Sequence, residues 1–368
     1  MRRLFYPLHL YLGLVAGALF VLLGLTGSLL VFYHAIDETL NPLEATSQSS
    51  GPPRPLSEML AAVARVRPHD PPPFRILMPR HAAGVVEVWA AIPEEDGGGY
   101  RVTTVDPASA AVLGTRDWGG SLATFVYRLH ATLFLGEAGK TAVGVIGLLV
   151  LMSIITGIVL WWPKTAQFSQ AFTIQFGMRG YRRYIELHKA LGLYTGLVLL
   201  VIAFSGVSIV FPRQVKALVE AILPVAETPT PPESSVLSGA LPIGPDRAVS
   251  VARRVFPAAT LKRVVLPGGP RGAYVVSLRQ RGEVQESYGQ SSSSVAVDQY
   301  SGEVLAVRDY HRLPAGDRFL AWLFPLHNGE ALGQTGRWTV FVAGFVPLVL
   351  YVTGLALWWA KRKARRRN

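Results

Sequence analysis

Residues 9–32 read HLYLGLVAGALFVLLGLTGSLLVF, and residues 188–211 read HKALGLYTGLVLLVIAFSGVSIVF. Both stretches begin with histidine, have glycine at the fifth and ninth positions, and carry a small hydroxyl residue before a glycine near the end. Apolar runs of this length predict membrane-spanning helices, because about 20 residues at about 1.5 Å each cross a hydrocarbon core of about 30 Å. The recurrence predicts a chain built from two related halves.

Two further apolar runs complete these halves, at about Thr141–Trp162 and Trp338–Trp359. A Leu-His pair precedes each run, and each run contains Thr-Gly and ends in Trp-Trp. The first span is too long to be the apolar core of a signal peptide, so we expect it to remain as an anchor. We therefore predict a membrane α-helical bundle of four transmembrane helices, with limits 1–34, 137–162, 188–211 and 336–360.

The composition excludes a soluble globular protein. Half of the 368 residues are hydrophobic and 16% are charged, whereas about 25% of residues in soluble domains are charged. The chain has no cysteine, which excludes disulfides, iron–sulfur clusters, zinc–thiolate sites and covalently attached haem. No G-x-G-x-x-G motif follows a predicted strand, and neither a Ser-His-Asp arrangement nor H-E-x-x-H occurs, so we expect no nucleotide-binding domain and no peptidase site.

Lysine and arginine set the predicted orientation of the spans. Basic residues cluster at the amino terminus, around the loop 163–187 and in the tail 361–368, as Arg2, Arg3, Lys164, Arg179, Arg182, Arg183, Lys189, Lys361, Arg362, Lys363, Arg365, Arg366 and Arg367. Basic flanks favour the cytoplasmic side, so we expect a bacterial inner-membrane protein with both termini in the cytoplasm. The net charge of +12 then indicates attraction to anionic membrane lipid, and no nucleic acid is expected as a partner.

The long segments between the spans, 35–136 and 212–335, are predicted to form two small external α+β domains in the periplasm. Leu56–Val66 and Pro245–Phe256 have the apolar spacing of short amphipathic helices. Stretches typical of strands follow at Phe74–Met78, Val85–Ala91, Lys262–Leu266 and Ala273–Leu278. Each half is thus one span, one external domain and a second span. Two halves that both enter from the cytoplasm form parallel pseudo-symmetric repeats, related by an axis along the membrane normal.

Four histidines occupy equivalent positions in the two halves, His9 with His188 and His130 with His327. A pseudo-two-fold axis would bring the members of each pair face to face in the bundle, as bis-histidine haem ligation requires. Histidine at membrane depth also fits metal transport or a proton relay. The residues alone leave these alternatives open.

The place of His130 along the chain requires either a bend or a surface location. It lies 31 residues before Trp161, which is about 46 Å of helix and longer than the bilayer core. Either His130 lies at the outer surface, or the chain bends back near Leu135–Gly139. His34, at the outer end of the first span, is a further candidate ligand for the outer pair, and His311 is a candidate replacement.

These features make the chain similar to the PepSY-associated transmembrane family. The resemblance covers nearly the whole chain and rests on the pattern His9-x3-Gly13-x3-Gly17, the Leu-His segments, the Thr-Gly and Trp-Trp elements, and the Val-Asp-x-x-Ser-Gly-type turns of the external segments. Members that the chain resembles include inner-membrane ferric-siderophore reductases. The resemblance implies PepSY-like external domains and two haem b groups, and the candidate ligands of the haem irons are His9, His188, His130 and His327, with His34 as an additional cofactor-binding candidate.

The resemblance also implies an oxidoreductase that passes electrons across the bilayer to a ferric siderophore or other ferric chelate in the periplasm. The electron donor would be quinol, reduced flavin or a separate reductase. Two other functions stay open: a non-enzymatic PepSY membrane protein that binds or regulates a periplasmic partner, and a metal permease. Residues near the outer pair that are candidates for lining a substrate site are Arg312, Arg318, Tyr127, Trp322 and Phe324.

Overall fold

The computed structural model describes residues 2–94, 98–163, 172–173, 178–227, 232–236, 239–284 and 293–366. The chain divides into two compact units. The helical unit consists of Met1–Tyr33, Val126–Leu218 and Trp322–Asn368, and the sheet unit consists of His34–Phe125 and Val219–Ala321. Of the basic residues used to predict the orientation, Lys164 and Arg367 lie outside the described residues.

The helices and strands alternate in blocks along the chain. In order, the helices are α1 Arg2–Val31, α2 Tyr33–Leu40, α3 Pro42–Ala45, α4 Leu56–Val66, α5 Leu122–Thr132, α6 Gly136–Trp161, α7 Tyr181–Val210, α8 Pro212–Glu220, α9 Pro245–Val255, α10 Ala315–His327, α11 Gly333–Ala343 and α12 Val346–Arg365. The strands are β1 Pro73–Leu77, β2 Val86–Ala91, β3 Tyr100–Val105, β4 Val112–Asp117, β5 Thr260–Val265, β6 Ala273–Arg279, β7 Ser294–Asp298 and β8 Val304–Arg308.

Four helical stretches of the described chain are long and apolar enough to cross a membrane: Arg3–Val31, Gly136–Trp161, Tyr181–Val210 and Glu330–Arg365. They agree with the four predicted spans. In the helical unit, α1 packs against α6, α6 against α7, α7 against α12, and α12 against α1. The four spans therefore form a closed ring of neighbours, in which α1 lies diagonally opposite α7.

Two spans differ from their predicted limits. The third begins at Tyr181, after Gly180 with φ of 59°, so the predicted loop 163–187 ends earlier and His188 lies two turns inside a helix. The fourth is interrupted between Ala343 and Val346. Pro347 lacks a backbone N–H, so it is accommodated in the first turn of a new helix rather than in the middle of a continuous one.

The interruption of the fourth span lies directly against the first span. A Cβ atom on Gly24 would lie 2.5 Å from the carbonyl oxygen of Gly344, so only glycine allows the two backbones to approach this closely. The hydroxyl of Ser28 donates a hydrogen bond to the carbonyl of Phe341, at 2.7 Å. Small residues thus fix the contact between α1 and the broken span.

The sheet unit contains one antiparallel sheet of eight strands in the order β4-β3-β2-β1-β5-β6-β7-β8. Ile76 of β1 pairs with Val264 of β5 at its centre. Helices α4 and α9 contribute Met59 and Ala252 to the same buried core as these strands. The segments predicted as two separate external domains therefore join into one unit. Pairing β1 with β5 removes two edge strands whose backbone N–H and C=O groups would otherwise be open.

An aspartate is buried in each of two equivalent turns, Asp106 after β3 and Asp298 at the end of β7. Asp106 accepts five hydrogen bonds, from the hydroxyl of Ser47 and from the backbone N–H groups of Gln48, Ser49, Ala108 and Ser109. Asp298 accepts bonds from the backbone N–H groups of Ser235, Tyr300 and Ser301. Each carboxylate thus ties its turn to the segment that precedes the amphipathic helix of its half, α4 or α9.

Burial by itself would raise the pKa of Asp106, but the hydrogen bonds from Ser109, Ser47, Gln48 and Ala108 lower it to about 2. The folded protein therefore holds this group as a carboxylate more firmly than the unfolded chain does, where the pKa is about 4. The stability that it contributes is present above about pH 4 and is lost as the pH falls toward about 2.

Replacing Asp106 with asparagine should lower the free energy of unfolding of the sheet unit by about 2 kcal/mol at neutral pH, since a carboxylate oxygen is replaced by an NH2 group that repels the N–H donors. Thermal unfolding in detergent, followed by near-ultraviolet circular dichroism at several pH values, measures the effect. Glu233→Gln, at an exposed side chain, is the matched control. Equal stability of the two variants would contradict the structural role of Asp106.

Candidate functional site

The helical unit brings the four equivalent histidines together in two pairs. The ring centroids of His9 and His188 are 6.2 Å apart, and those of His130 and His327 are 6.1 Å apart. All four side chains are half-buried. The pairing matches the one expected from the internal repeat.

His130 and His327 reach the bundle because the chain reverses after each of them. Helix α5 ends at Thr132, and Leu133, Phe134 and Gly136 then have φ values of 48°, 59° and 57°. Helix α10 ends at His327 itself. It is followed by Gly329 with φ of 82°, a short 3-10 turn, and Gly333 with φ of 59°. Of the two locations considered for His130, the structure shows the bend.

Each paired histidine lies against a dipeptide of threonine or serine followed by glycine on a neighbouring span. The Nδ1 atom of His9 is 3.1 Å from the hydroxyl oxygen of Thr156, and that of His188 is 2.9 Å from Thr353. Equivalent contacts join His130 to Thr26, at 3.0 Å, and His327 to Ser205, at 3.3 Å. The hydroxyl groups of Thr26, Thr156, Ser205 and Thr353 therefore form a recurring set, which we call the hydroxyl receptors.

The glycine after each hydroxyl receptor leaves room for the imidazole ring. A Cβ atom on Gly157 would be 3.1 Å from Cε1 of His9, and one on Gly27 would be 3.1 Å from Cε1 of His130. The corresponding distances are 3.0 Å for Gly206 and His327, and 3.5 Å for Gly354 and His188. A residue larger than glycine at position 27, 157 or 206 would collide with the imidazole ring that lies against it.

The hydroxyl receptors also determine which ring nitrogen carries the proton. Each hydroxyl donates its hydrogen to the backbone carbonyl four residues earlier; for Thr353 this is Val349, at 2.8 Å, and the other receptors do the same. Its oxygen can then only accept from the histidine, so Nδ1 must be the protonated nitrogen. In the neutral imidazole, Nε2 then keeps its lone pair and is the atom free to bind a metal.

The two pairs are separated along the first and third spans by the same distance. His9 and Thr26 are 17 residues apart on α1, and His188 and Ser205 are 17 residues apart on α7. At about 1.5 Å per residue, this spacing is about 25 Å. Phe20 packs against both buried apolar clusters of the bundle, which makes this stretch of the core apolar.

The donors of each pair suit a planar cofactor better than a bare ion. Among the described residues, no group of three or more His, Cys, Asp or Glu side chains is placed to hold a metal. Two histidines complete the coordination of an iron that a macrocycle already holds by four nitrogens. With metal–nitrogen bonds of about 2 Å and about 1.1 Å from nitrogen to ring centre, such ligation places ring centres about 6 Å apart, which agrees with both observed distances.

Three glycines near the pair of His9 and His188 have no neighbouring atoms where a Cβ atom would lie. Gly13 and Gly192 lie one turn after these histidines, and a Cβ atom at either position would meet nothing within 4 Å. The same is true of Gly196, which is buried. Glycine at such positions lets a ligand come close to the backbone.

The other candidate residues are divided between the two units. His34 is on α2 and His311 is in the 3-10 turn after β8, both within the sheet unit, whereas the paired histidines are in the helical unit. The ring of His311 contacts the carbonyl of Arg281, at 3.1 Å. Arg312 and Arg318 also belong to the sheet unit, while Tyr127, Trp322 and Phe324 belong to the helical unit.

Sequence reasoning missed the hydroxyl receptors. Thr26-Gly27, Thr156-Gly157, Ser205-Gly206 and Thr353-Gly354 were recognised as repeat positions, but no role was predicted for them. The available signal was that Thr26-Gly27 recurs as Ser205-Gly206, and Thr156-Gly157 as Thr353-Gly354, in the same two halves in which the four equivalent histidines recur.

Replacing Gly27 with valine should destabilise the helical unit by about 1–3 kcal/mol, because the added methyl groups collide with His130 and overpack the bundle. The unfolding temperature in detergent measures the change. Ala18→Val on the exposed side of the same helix adds a similar side chain without a collision and should leave that temperature nearly unchanged. An equally stable Gly27→Val protein would show that His130 does not lie on this glycine.

Comparison with known proteins bears directly on the predicted resemblance. The family model described as the PepSY-associated TM region matches residues 6–361, which is nearly the whole chain. None of the curated proteins compared with the chain matches it. The predicted resemblance is confirmed, and the chain belongs to the PepSY-associated transmembrane family.

Proposed function

We propose that this protein binds two haem b groups and carries electrons across the bacterial inner membrane to reduce a ferric siderophore or other ferric chelate. The observation that supports this proposal best is the repeated histidine pair. Both pairs have the ring separation that bis-histidine ligation requires, and all four histidines have Nδ1 engaged by a hydroxyl receptor.

The proposed roles of the residues follow from their contacts. His9 and His188 would hold one haem iron, and His130 and His327 would hold the other. Bound haem would supply reversible one-electron transfer. The hydroxyl receptors keep each Nδ1 protonated and each ring in one orientation, while Gly13 and Gly192 leave space beside the first pair. We do not assign His34 as a ligand in this proposal, because His130 and His327 already form the second pair.

The spacing of the pairs supports transfer from one side of the membrane to the other. His9 lies two turns from the start of the first span, and Thr26, which holds His130, lies near its other end. The pairs are thus near opposite ends of one span, about 25 Å apart. Because ferric chelates are generally much tighter than ferrous ones, adding one electron to the bound iron would favour its release from the chelate.

The proposed arrangement in the cell follows from the basic flanks. Both termini would be cytoplasmic, the two parallel pseudo-symmetric repeats would share an axis along the membrane normal, and the PepSY-like parts of the sheet unit would be periplasmic. The pair of His9 and His188 would then be on the cytoplasmic side. It would receive electrons from quinol, reduced flavin or a separate reductase, and anionic lipid would surround the basic residues.

Two other functions would be supported if the experiments below showed no haem. A metal permease would need a set of donors for a bare cation, and the described residues contain no cluster of three such side chains. A non-enzymatic PepSY membrane protein that regulates a periplasmic partner would need neither haem nor facing imidazoles. The paired rings and their common tautomer favour haem over both.

The first test is the difference spectrum of the purified protein, dithionite-reduced minus oxidised, with haem quantified per chain. We expect two b-type haems in the unaltered protein. His188→Ala and His327→Ala should each retain one, and the two variants should lose spectroscopically different haems. No haem after expression with ample haem supply would overturn the proposal, and two haems in either variant would overturn the ligand assignment. His311→Ala is the control and should retain both.

A second prediction concerns the space beside the first pair. Gly192→Leu should remove the haem held by His9 and His188 and leave about one haem per chain, because its side chain fills the open space next to His188. Gly192→Ala adds a single carbon where nothing lies within 4 Å and should retain both haems. If the Gly192→Leu protein retained two haems per chain, the haem would not lie next to Gly192.

A third prediction concerns the hydroxyl receptors. Thr353→Val keeps the shape of the side chain but removes the oxygen that accepts from His188, so haem should dissociate from this site about 10-fold more readily. Haem transfer to an excess of an apo-globin measures the rate. Thr339→Val removes an exposed hydroxyl on α11 that donates to the carbonyl of Thr335, and it should transfer haem at the unaltered rate. Equal rates in the two variants would remove the proposed role of the receptor.

A further inference from the structure

An arginine at the end of the first span has no charged partner. Arg337 lies on α11, and among the described residues it makes no ion pair and a single hydrogen bond, from Nη2 to the carbonyl of Val31, at 2.7 Å. Its Nε atom is buried and has no hydrogen-bond partner in the same part of the chain. A buried donor without a partner is costly and uncommon in folded proteins. The Nε–H of Arg337 can therefore serve an acceptor that the protein receives from outside.

The ring beside this guanidinium group belongs to an aromatic cluster. The guanidinium carbon of Arg337 lies 4.9 Å from the ring centre of Phe32. The ring of Phe32 in turn lies 4.9 Å from that of Trp338 and 5.5 Å from that of Phe341. Contact with an aromatic face offsets part of the cost of taking a cation out of water. An anion offsets more of it, because a hydrogen bond to a charged acceptor is stronger.

The equivalent cation of the first half has its own counter-ion. Shifted by 197 residues, Arg337 corresponds to Lys140 and Gln334 corresponds to Glu137. Lys140 pairs with Glu137 at 3.4 Å, and both side chains are exposed. The second half thus keeps the cation but has an amide in place of the carboxylate. This difference points to an anion at Arg337 that the chain itself does not supply.

Arg337 is placed near the second histidine pair. Helix α11 packs against both α1 and α7, the two spans that carry the hydroxyl receptors of His130 and His327. The carbonyl bonded by Arg337 belongs to Val31, one turn after Gly27, and the ring of His130 lies against Gly27. One turn is about 5.4 Å along a helix axis. The unpartnered donor is therefore within about two helical turns of His130 along the first span.

The cofactor proposed for this pair carries anions of the kind that Arg337 can bind. Haem b has two propionate side chains at one edge of its macrocycle, whereas its two histidine ligands occupy the faces. A carboxylate inside an apolar bundle is costly unless a cation or several donors accompany it. Arginine suits this task, because its planar donors match the oxygens of a carboxylate.

We propose that Arg337 binds a propionate of the haem held by His130 and His327. This inference rests on the proposed function and adds a cofactor-binding residue to it. The Nε–H group of Arg337 donates to the carboxylate, while Nη2 stays bonded to Val31. The cation and the carboxylate then neutralise each other at the end of the bundle. The same contact determines which edge of the macrocycle points toward the end of the first span.

The test compares haem b with its dimethyl ester, in which both propionates are uncharged. The full-length apoprotein in neutral detergent is loaded with either compound, and transfer to an excess of apo-globin gives the rate of release. The haem of the second pair is identified as the one that His188→Ala retains. The haem of the first pair is followed in the same sample and reports whether the bundle of each variant is intact.

We expect Arg337→Gln to release haem b from the second pair about 10-fold faster than the unaltered protein, with an unchanged rate at the first pair. The two proteins should release the dimethyl ester at equal rates, because it has no carboxylate for Arg337 to bind. Arg337→Lys keeps the charge without the planar donors and should recover part of the retention. Lys140→Gln removes the equivalent cation, which already pairs with Glu137, and should release haem b at the unaltered rate.

Three results would overturn this inference in a protein that contains two haems. The first is equal release of haem b by Arg337→Gln and Lys140→Gln. The second is an equal acceleration for the dimethyl ester, which would show that Arg337 acts only by holding the end of α1. The third is an acceleration seen only when phosphatidylglycerol is added, which would assign the cation to lipid phosphate. A protein that takes up no haem would overturn the proposed function and this inference with it.

Discussion

The hydrogen bond at Nδ1 of each paired histidine is the constraint on which the helical unit depends. An apolar bundle offers no water, so an imidazole N–H inside it needs a partner on a neighbouring helix. The hydroxyl of threonine or serine meets this need, because its own hydrogen already bonds a carbonyl one turn earlier. The following glycine removes the carbon that would collide with the ring. One dipeptide therefore fixes both the position of a histidine and its tautomer.

This constraint explains why the chain reverses before the second and fourth spans. His130 and His327 lie on helices that precede those spans, and they reach Thr26 and Ser205 only because the chain turns back. The first reversal places Leu133 and Phe134 in the left-handed region, whereas the second uses glycines at similar points. Left-handed backbone at two non-glycine residues costs about 1–3 kcal/mol each. The two halves thus use different residues to reverse the chain, but both place the histidine against the hydroxyl of a neighbouring span. This indicates that the position of the histidine is the constrained feature.

Length and recurrence in the sequence were enough to predict the four spans, the equivalent histidines and several strands of the sheet unit. They were not enough to predict the start of the third span at Tyr181, because Arg182 and Arg183 look like loop residues although they continue a helix. The single sheet was also missed, since nothing in the sequences of β1 and β5 distinguishes edge strands that pair with each other from edges that stay open. The hydroxyl receptors escaped notice because a threonine in an apolar helix usually bonds only to its own backbone.

The two halves agree where the histidines are held and differ at other positions of the bundle and of the sheet. Shifted by 179 residues, Thr26-Gly27 corresponds to Ser205-Gly206, but Phe20 corresponds to Leu199. In the sheet, Arg75 lies opposite Trp89, whereas the equivalent Arg263 lies opposite Ser277. A duplicated scaffold supplies two similar histidine pairs, and in the proposed function four similar histidines would not by themselves give electron transfer a direction or select a substrate. Under that proposal both properties would come from residues that the halves do not share, such as Trp89 and Ser277 in the sheet unit.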